Sequence, residues 1–151
     1  MPRAIQVKIT RIDSKHKDLP LPTRMTEHAA GFDLAAAVTE ATAIAPGQIL
    51  LVPCGFAMAV PNGYEAQVRP RSGLASRHGI TMVNAPGTID SDYRGEVKVP
   101  LINLGRETFT IERGMRIAQM LILPVPKVKL VEVKSLDETK RGKGGFGHTG
   151  H

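Results

Sequence analysis

Glycine and proline interrupt this chain so often that a long helix has almost nowhere to form: 15 glycines and 11 prolines are spread through 151 residues. Both residue types weaken the interior of a helix or strand and favour turns. Between them lie short apolar runs at intervals of roughly 8–12 residues, the spacing of strands joined by turns. Residues 5–10 alternate apolar and polar side chains, the period of a half-buried strand. Residues 49–52 and 55–60 read as buried strands. Pro61-Asn62-Gly63 then reads as a hairpin turn with residues 64–69 as the return strand. Val97, Val99 and Leu101 alternate again; residues 108–111, 117–123 and 128–133 complete the set, with Pro124 closing the second of these. One short helix is expected over residues 72–79, capped by Ser72 and stopped by Gly79. The pattern predicts an all-β sandwich, barrel or jelly roll, whose edges oligomerisation can cover.

After Ser135 the pattern stops. Residues 137–151 contain five glycines and one aromatic, with no apolar face to bury, and read as a mobile tail after a β-domain spanning residues 1–136. With two Tyr, four Phe and no Trp, the core has to be aliphatic. The lone cysteine, Cys54, excludes an intrachain disulfide and a multi-cysteine zinc site, and its apolar surroundings suit a small core residue. The N-terminus has no apolar leader region. Residues 49–60, broken by Pro53 and Gly55, fall short of the ~18 residues of a membrane span. A soluble, cytoplasmic protein is expected.

The net charge of +6 is concentrated at the ends: residues 1–28 and 127–151 each hold six basic and three acidic side chains, and the middle is neutral. A polyanion, a small anionic substrate or simply a solvated surface would all suit that balance. With basic excess only at the ends, few aromatics and no recognition motif, no nucleic-acid partner is expected.

Three stretches carry candidate chemistry. Residues 87–96 place Asp90, Asp92 and Tyr93 between Gly87 and Gly95, with Glu96 following; Asp90 there is either a general base or part of a turn held by Asx hydrogen bonds. Pro70-Arg71-Ser72-Gly73 opens the expected helix, as a phosphate site or as an ordinary cap. Arg141-Gly142-Lys143-Gly144-Gly145-Phe146-Gly147 lacks Walker spacing; its cations and ring either close over a ligand or belong to a plain tail. Asp33, between Phe32 and Leu34, needs a partner such as an arginine or a metal. The five histidines show no metal-ligand spacing; His148 and His151 are three apart, but in a glycine tail.

In order along the chain, five segments resemble the motifs of the trimeric dUTP pyrophosphatase family. They are Ala30-Gly31-Phe32-Asp33-Leu34, Pro70-Arg71-Ser72-Gly73-Leu74-Ala75, residues 87–96 in the form G-x-I-D-x-D-Y-R-G-E, Arg113-Gly114-Met115-Arg116-Ile117-Ala118-Gln119, and the glycine-rich tail. The resemblance implies a jelly-roll subunit and a homotrimer with active sites between subunits. It also implies hydrolysis of dUTP to dUMP and pyrophosphate with Mg²⁺. It makes Asp90 the base that activates water for attack on the α-phosphorus. Asn84 and the backbone of Gly87, Thr88, Ile89 and Asp90 would read the uracil edge, with Lys98 nearby. Tyr93 would pack under the deoxyribose. Arg71, Ser72, Gly73 and Gln119 would hold phosphates. Arg141, Phe146 and Gly147 would arrive with the tail, Arg141 on phosphate and Phe146 over uracil. No direct protein ligand to Mg²⁺ is expected; Asp33 would either reach it through water or only support the interface.

Two positions depart from the family pattern. Phe32 stands where Tyr is common, which loses a hydroxyl and keeps the ring. His148 stands where Ser or Thr is usual, so that phosphate contact falls to Thr149 or to His148 itself. The related dCTP deaminases need a glutamate on the strand after the third motif. Here Val97-Lys98-Val99-Pro100-Leu101-Ile102 offers no acid.

Overall fold

A computed structural model describes residues 4–150. The strands are β1 (Lys8–Arg11), β2 (Phe32–Ala35), β3 (Thr42–Ile44), β4 (Ile49–Pro53), β5 (Phe56–Ala59), β6 (Tyr64–Pro70), β7 (Ile80–Met82), β8 (Gly87–Ile89), β9 (Lys98–Asn103), β10 (Phe109–Ile111) and β11 (Arg116–Pro124). One α-helix, α1 (Ser72–His78), and a 3-10 turn (Ser14–His16) accompany them. All strand pairs are antiparallel, in four small sheets ordered β1-β5, β10-β3, β2-β11-β6-β8 and β4-β9-β7. The all-β expectation therefore holds, with the single helix where the sequence placed it.

The core between the sheets is aliphatic, as the composition requires: Leu34, Ile44, Val52, Ile80, Val97, Val99, Leu101, Ile111 and Ile117 are almost wholly buried, and Phe56 is the one fully buried aromatic. Cys54 is buried with them. Burial, with Glu96 adding to it, pushes its thiol up to about 12, so at neutral pH almost no thiolate is present to react. Native protein is accordingly expected to resist a maleimide or a disulfide reagent, reacting only as it unfolds in denaturant.

Asn103 is the buried polar hub. Its Nδ2 donates to the carbonyls of Ile44 and Glu107, both at 2.8 Å, and its Oδ1 accepts from the Gly105 N–H at 2.8 Å. Asn103→Ala strands all three groups and should cost about 2–4 kcal/mol, read as a lower denaturant midpoint at unchanged slope. Arg113 ties the N-terminal segment to the turn before β11, donating to Asp18 at 2.7 and 2.8 Å and to the carbonyls of Lys15 and Val38. The guanidinium holds the Asp18 carboxyl below its ordinary value.

Several sequence expectations are corrected. β1 begins at Lys8, and Ile5 and Ile9 stay exposed because they face an open cleft of about 520 Å³ floored by Phe32, Met58, Met120 and Ile122. Only Val52 of residues 49–52 is buried; Ile49 and Leu51 are each 56% exposed on the outer face of their sheet. The turn at residues 61–64 exists, with the Tyr64 N–H on the Pro61 carbonyl, but β5 and β6 do not pair: β5 joins β1, and β6 joins β11 and β8. The chain crosses between sheets there instead of folding back within one. Arg71, not Ser72, is the N-cap of α1, and no side chain caps the helix; Gly79 ends it in the left-handed region as expected, at φ 67°. Residues 128–133 form no strand and are exposed; their alternating apolar side chains join no sheet edge of their own chain. The strands β2, β3, β7 and β8 are absent from the sequence expectation, since three or four residues each show little period.

Candidate active site

Antiparallel register places the first group of polar residues. Gln119 on β11 lies between Asp33 on β2 and Arg69 on β6, one row across the four-stranded sheet. The Gln119 amide donates to the Pro70 carbonyl at 3.0 Å and pins the end of β6. A Cβ on Gly31 would come to 2.8 Å from the Gln119 amide oxygen, so a side chain there would push the Gln119 amide from this position. Asp33 finds the partners its apolar neighbourhood demanded: Arg116 donates to Oδ2 at 3.1 Å, and Arg71 Nε stands 3.7 Å from Oδ1. Arg71 also donates to the Arg116 carbonyl at 3.1 Å. Ser72 and Gly73 follow, exposed, in the first turn of α1, where backbone N–H groups have no intrahelical partner. Nothing lies within 4 Å of a Cβ placed on Gly73.

The second group is a hairpin running from β7 through β8 to β9. A cis peptide joins Ala85 to Pro86. Asn84 lies over Gly87, its Nδ2 at 3.2 Å from a Cβ placed there. Thr88 is exposed and Ile89 half-buried beside it. The turn after β8 closes through the backbone, Tyr93 N–H to the Asp90 carbonyl at 3.2 Å. Arg94 reinforces it by donating to the carbonyls of Ser91 and Tyr93. The alternative of Asx bonds from Asp90 or Asp92 is therefore not realised. The exposed Asp90 carboxylate takes no ion pair or hydrogen bond among the described residues. Tyr93 folds over Gly95 and donates its hydroxyl to the Glu96 carbonyl at 2.9 Å; a Cβ on Gly95 would meet that hydroxyl at 2.5 Å. Lys98 opens β9, exposed, opposite Pro53.

The third group stands apart. In the tail Arg141 Nε donates to the Gly144 carbonyl at 2.9 Å, the His148 ring packs on Gly144, and Gly147 takes φ 89°. Phe146 is fully exposed, at φ 53°. His151 lies outside the described residues.

The structure thus brings Asp33, Arg71, Arg116 and Gln119 together, and separately Asn84, Gly87, Asp90 and Tyr93. It does not bring the two groups to each other. β8 pairs with β6 through Val68–Gly87 and Ala66–Ile89, so Asp90 falls beside Glu65, whereas Arg71 follows Pro70 at the other end of β6. At ~3.3 Å per residue along the strand, Asp90 and Arg71 are about 20 Å apart. Arg116 lies inside the fourth motif, but nothing in its type or spacing signals a role before the β2–β11 register is known. Arg94 and Glu96, which brace the hairpin turn, were likewise quoted in the third motif without a role. Among the described residues no group of three or more His, Cys, Asp or Glu side chains is placed to hold a metal ion.

The dUTPase family model matches residues 17–150 of this chain. A protein of Desulfotalea psychrophila named deoxyuridine 5'-triphosphate nucleotidohydrolase is 60% identical over 132 residues, covering 87% of this chain and 88% of that one. A protein of the same name from Rickettsia felis is 56% identical over 145 residues, covering 96% and 97%. Among solved structures, the dUTPase of Staphylococcus bacteriophage 80alpha with dUPNHPP superposes with a TM-score of 0.85 at 22% identity, over 97% of this chain and 99% of that one. A mutant dUTPase of phage phi11 of S. aureus, which coordinates a structural Mg(II) ion, gives a TM-score of 0.76 at 19% identity over 86% and 97%. At that identity the likeness speaks for the fold, which is the jelly roll expected from the sequence.

Proposed function

The chain belongs to the dUTPase family, and from that premise we propose that its active sites form between copies of a homotrimer. The protein hydrolyses dUTP to dUMP and pyrophosphate, which keeps uracil out of DNA and supplies dUMP. The observation that carries an intersubunit site is the separation just described. A water attacking the α-phosphorus and the groups holding the outer phosphates have to lie within one triphosphate's length, and ~20 Å along β6 exceeds that. Two copies meeting face to edge remove the conflict, with the hairpin of one beside the Arg71 cluster of the other.

The outer face of the β4-β9-β7 sheet supports the same reading. Ile49 and Leu51 (56% each) and Val83 (52%) are exposed there, and registers Ile49–Ile102 and Leu51–Pro100 make the apolar face continuous. Apolar surface of that kind marks an interface. The exposed apolar residues from Val128 to Leu136, which found no partner within the chain, add to it.

At such a site Asp90 takes the proton of the attacking water, and its carboxylate has no internal partner competing for it. Asn84 and the backbone of Gly87, Thr88, Ile89 and Asp90 offer donors and acceptors to the uracil edge, and Lys98 lies along the return strand. Tyr93, held over Gly95, floors the deoxyribose and leaves no room for a 2′-hydroxyl. Arg71, the first-turn N–H groups of Ser72 and Gly73, and Gln119 hold the phosphates. The open space above Gly73 is where a phosphate can approach the backbone closely. Arg141, Phe146 and Gly147 arrive with the tail, residues 137–151 after a β-domain of residues 1–136, to exclude water and cover the base.

A Mg²⁺ ion would be carried in by the triphosphate: among the described residues no group of three or more His, Cys, Asp or Glu side chains is placed to hold one, and Asp33, already paired with two guanidiniums, would meet the ion only through water. When bound, the ion offsets charge on the phosphate oxygens as pyrophosphate leaves. No helix among the described residues is long and apolar enough to cross a membrane, and a cytoplasmic location, with the free Cys54 reduced, fits the deoxynucleotide substrate.

Pyrophosphate release from dUTP, dTTP, dCTP and UTP with Mg²⁺ tests the activity. Release from dUTP alone is expected; ammonia from dCTP, or no release from any nucleotide by folded protein, would overturn it.

A further inference from the structure

β11 carries a bulge where it passes β2. Arg116 pairs with Ala35, and the next paired residue, Ala118, faces Leu34, so Ile117 is an extra residue on one side of the ladder. A bulge re-aims the backbone around it, and here it leaves the Arg116 carbonyl available to an N–H of Arg71 at 3.1 Å. The Arg116 side chain turns the other way and occupies Asp33 at 3.1 Å, whereas Arg71 stays 3.7 Å from the same carboxylate. Asp33 is itself fixed: its amide donates to the Thr23 carbonyl at 2.8 Å, and its side chain is only 15% exposed. Two cations thus share one immobile anion, each on its own oxygen, and Arg116 has the shorter contact.

We propose that Arg116 is a positioning residue for dUTP hydrolysis: by taking the closer contact to Asp33, and by offering its carbonyl to Arg71, it holds the Arg71 guanidinium where it can receive phosphate rather than letting Asp33 draw it in. The inference rests on Arg71 as a phosphate ligand. Without the Arg116 cation, Asp33 has Arg71 as its remaining partner and draws it off the phosphate path. The loss therefore runs through Arg71, and it depends on the Asp33 charge.

The test is a set of variants measured for kcat, KM and the affinity of a non-hydrolysable dUTP analogue, with dUMP as control. Arg116→Gln should weaken the analogue about tenfold, the scale of one charge-assisted phosphate contact, and leave dUMP binding within twofold or so. In an Arg71→Ala background the same substitution should add almost nothing. Measured without Mg²⁺, Asp33→Asn combined with Arg116→Gln should restore most of the lost affinity, because the anion that draws Arg71 is gone. Arg116→Lys, which keeps a cation beside Asp33, should also recover most of it, and serves if the glutamine variant folds poorly.

A purely structural role predicts different results: additive losses with Arg71→Ala, weaker dUMP binding in step with the analogue, and a double variant worse than either single. Any of these would overturn the proposal. A wild-type protein without dUTP hydrolysis would instead remove the reading beneath it, while an active wild type unaffected by Arg116→Gln would remove this inference alone.

Discussion

Asp90→Asn should lower kcat for dUTP by about 10²–10⁴-fold, the range that a positioned general base contributes. The substitution keeps the size of the side chain and removes its ability to take a proton. Its effect on folding should be small, because the turn at Asp90 is held by backbone: the Tyr93 N–H meets the Asp90 carbonyl, and Arg94 braces the carbonyls of Ser91 and Tyr93. No ion pair among the described residues uses the Asp90 carboxylate. Stability within about 0.5 kcal/mol of the parent is therefore expected, as for a surface substitution. Single-turnover hydrolysis and analogue binding separate the steps: chemistry slows, while binding changes little. A variant retaining a tenth or more of the parent rate would transfer the base to another group.

Leu51→Glu should break the trimer and take the activity with it. Leu51 is 56% exposed in one chain, yet it sits beside Ile49, Pro100 and Val83 on an apolar face. If that face is buried between copies, each new carboxylate is desolvated without a partner, at several kcal/mol per site. In the isolated chain the same change costs almost nothing, because the position faces water. Sedimentation should then show a folded monomer with dUTP turnover down by about 10²-fold or more, since Asp90 and Arg71 no longer meet. A trimeric, fully active Leu51→Glu protein would place the interface elsewhere.

These two expectations also mark how far the sequence could be read. The phosphate and hairpin groups are local: Arg71, Ser72 and Gly73 are contiguous, as are residues 87–96, so their chemistry was visible before any fold. Asp33 was recognisable as needing a partner, because an acid between Phe32 and Leu34 cannot stay unpaired. That the partner is chiefly Arg116 was not visible, because it depends on the β2–β11 register and on a one-residue bulge. The apolar run at residues 49–52 signalled a strand but not its exposure: Val52 faces the core, and Ile49 and Leu51 face outward. Periodicity reports that a face is apolar, not which molecule covers it. Pro61-Asn62-Gly63 carries sound turn chemistry and still misled the pairing, because a turn sets direction while the core decides which sheet the next strand joins. The strand expected at residues 128–133 does not form: the alternating pattern suits a strand, but the segment joins none of the open sheet edges of its own chain.

The most direct test of a site shared between copies uses two inactive variants, Asp90→Asn and Arg71→Ala, co-expressed so that mixed trimers assemble. If each site takes Asp90 from one copy and Arg71 from another, random mixing leaves about a quarter of the sites with both residues intact, and dUTP turnover should return to that fraction of wild type. If both residues serve the same site from one chain, every site keeps one defect and the mixture stays as inactive as its parents; that result would contradict the account.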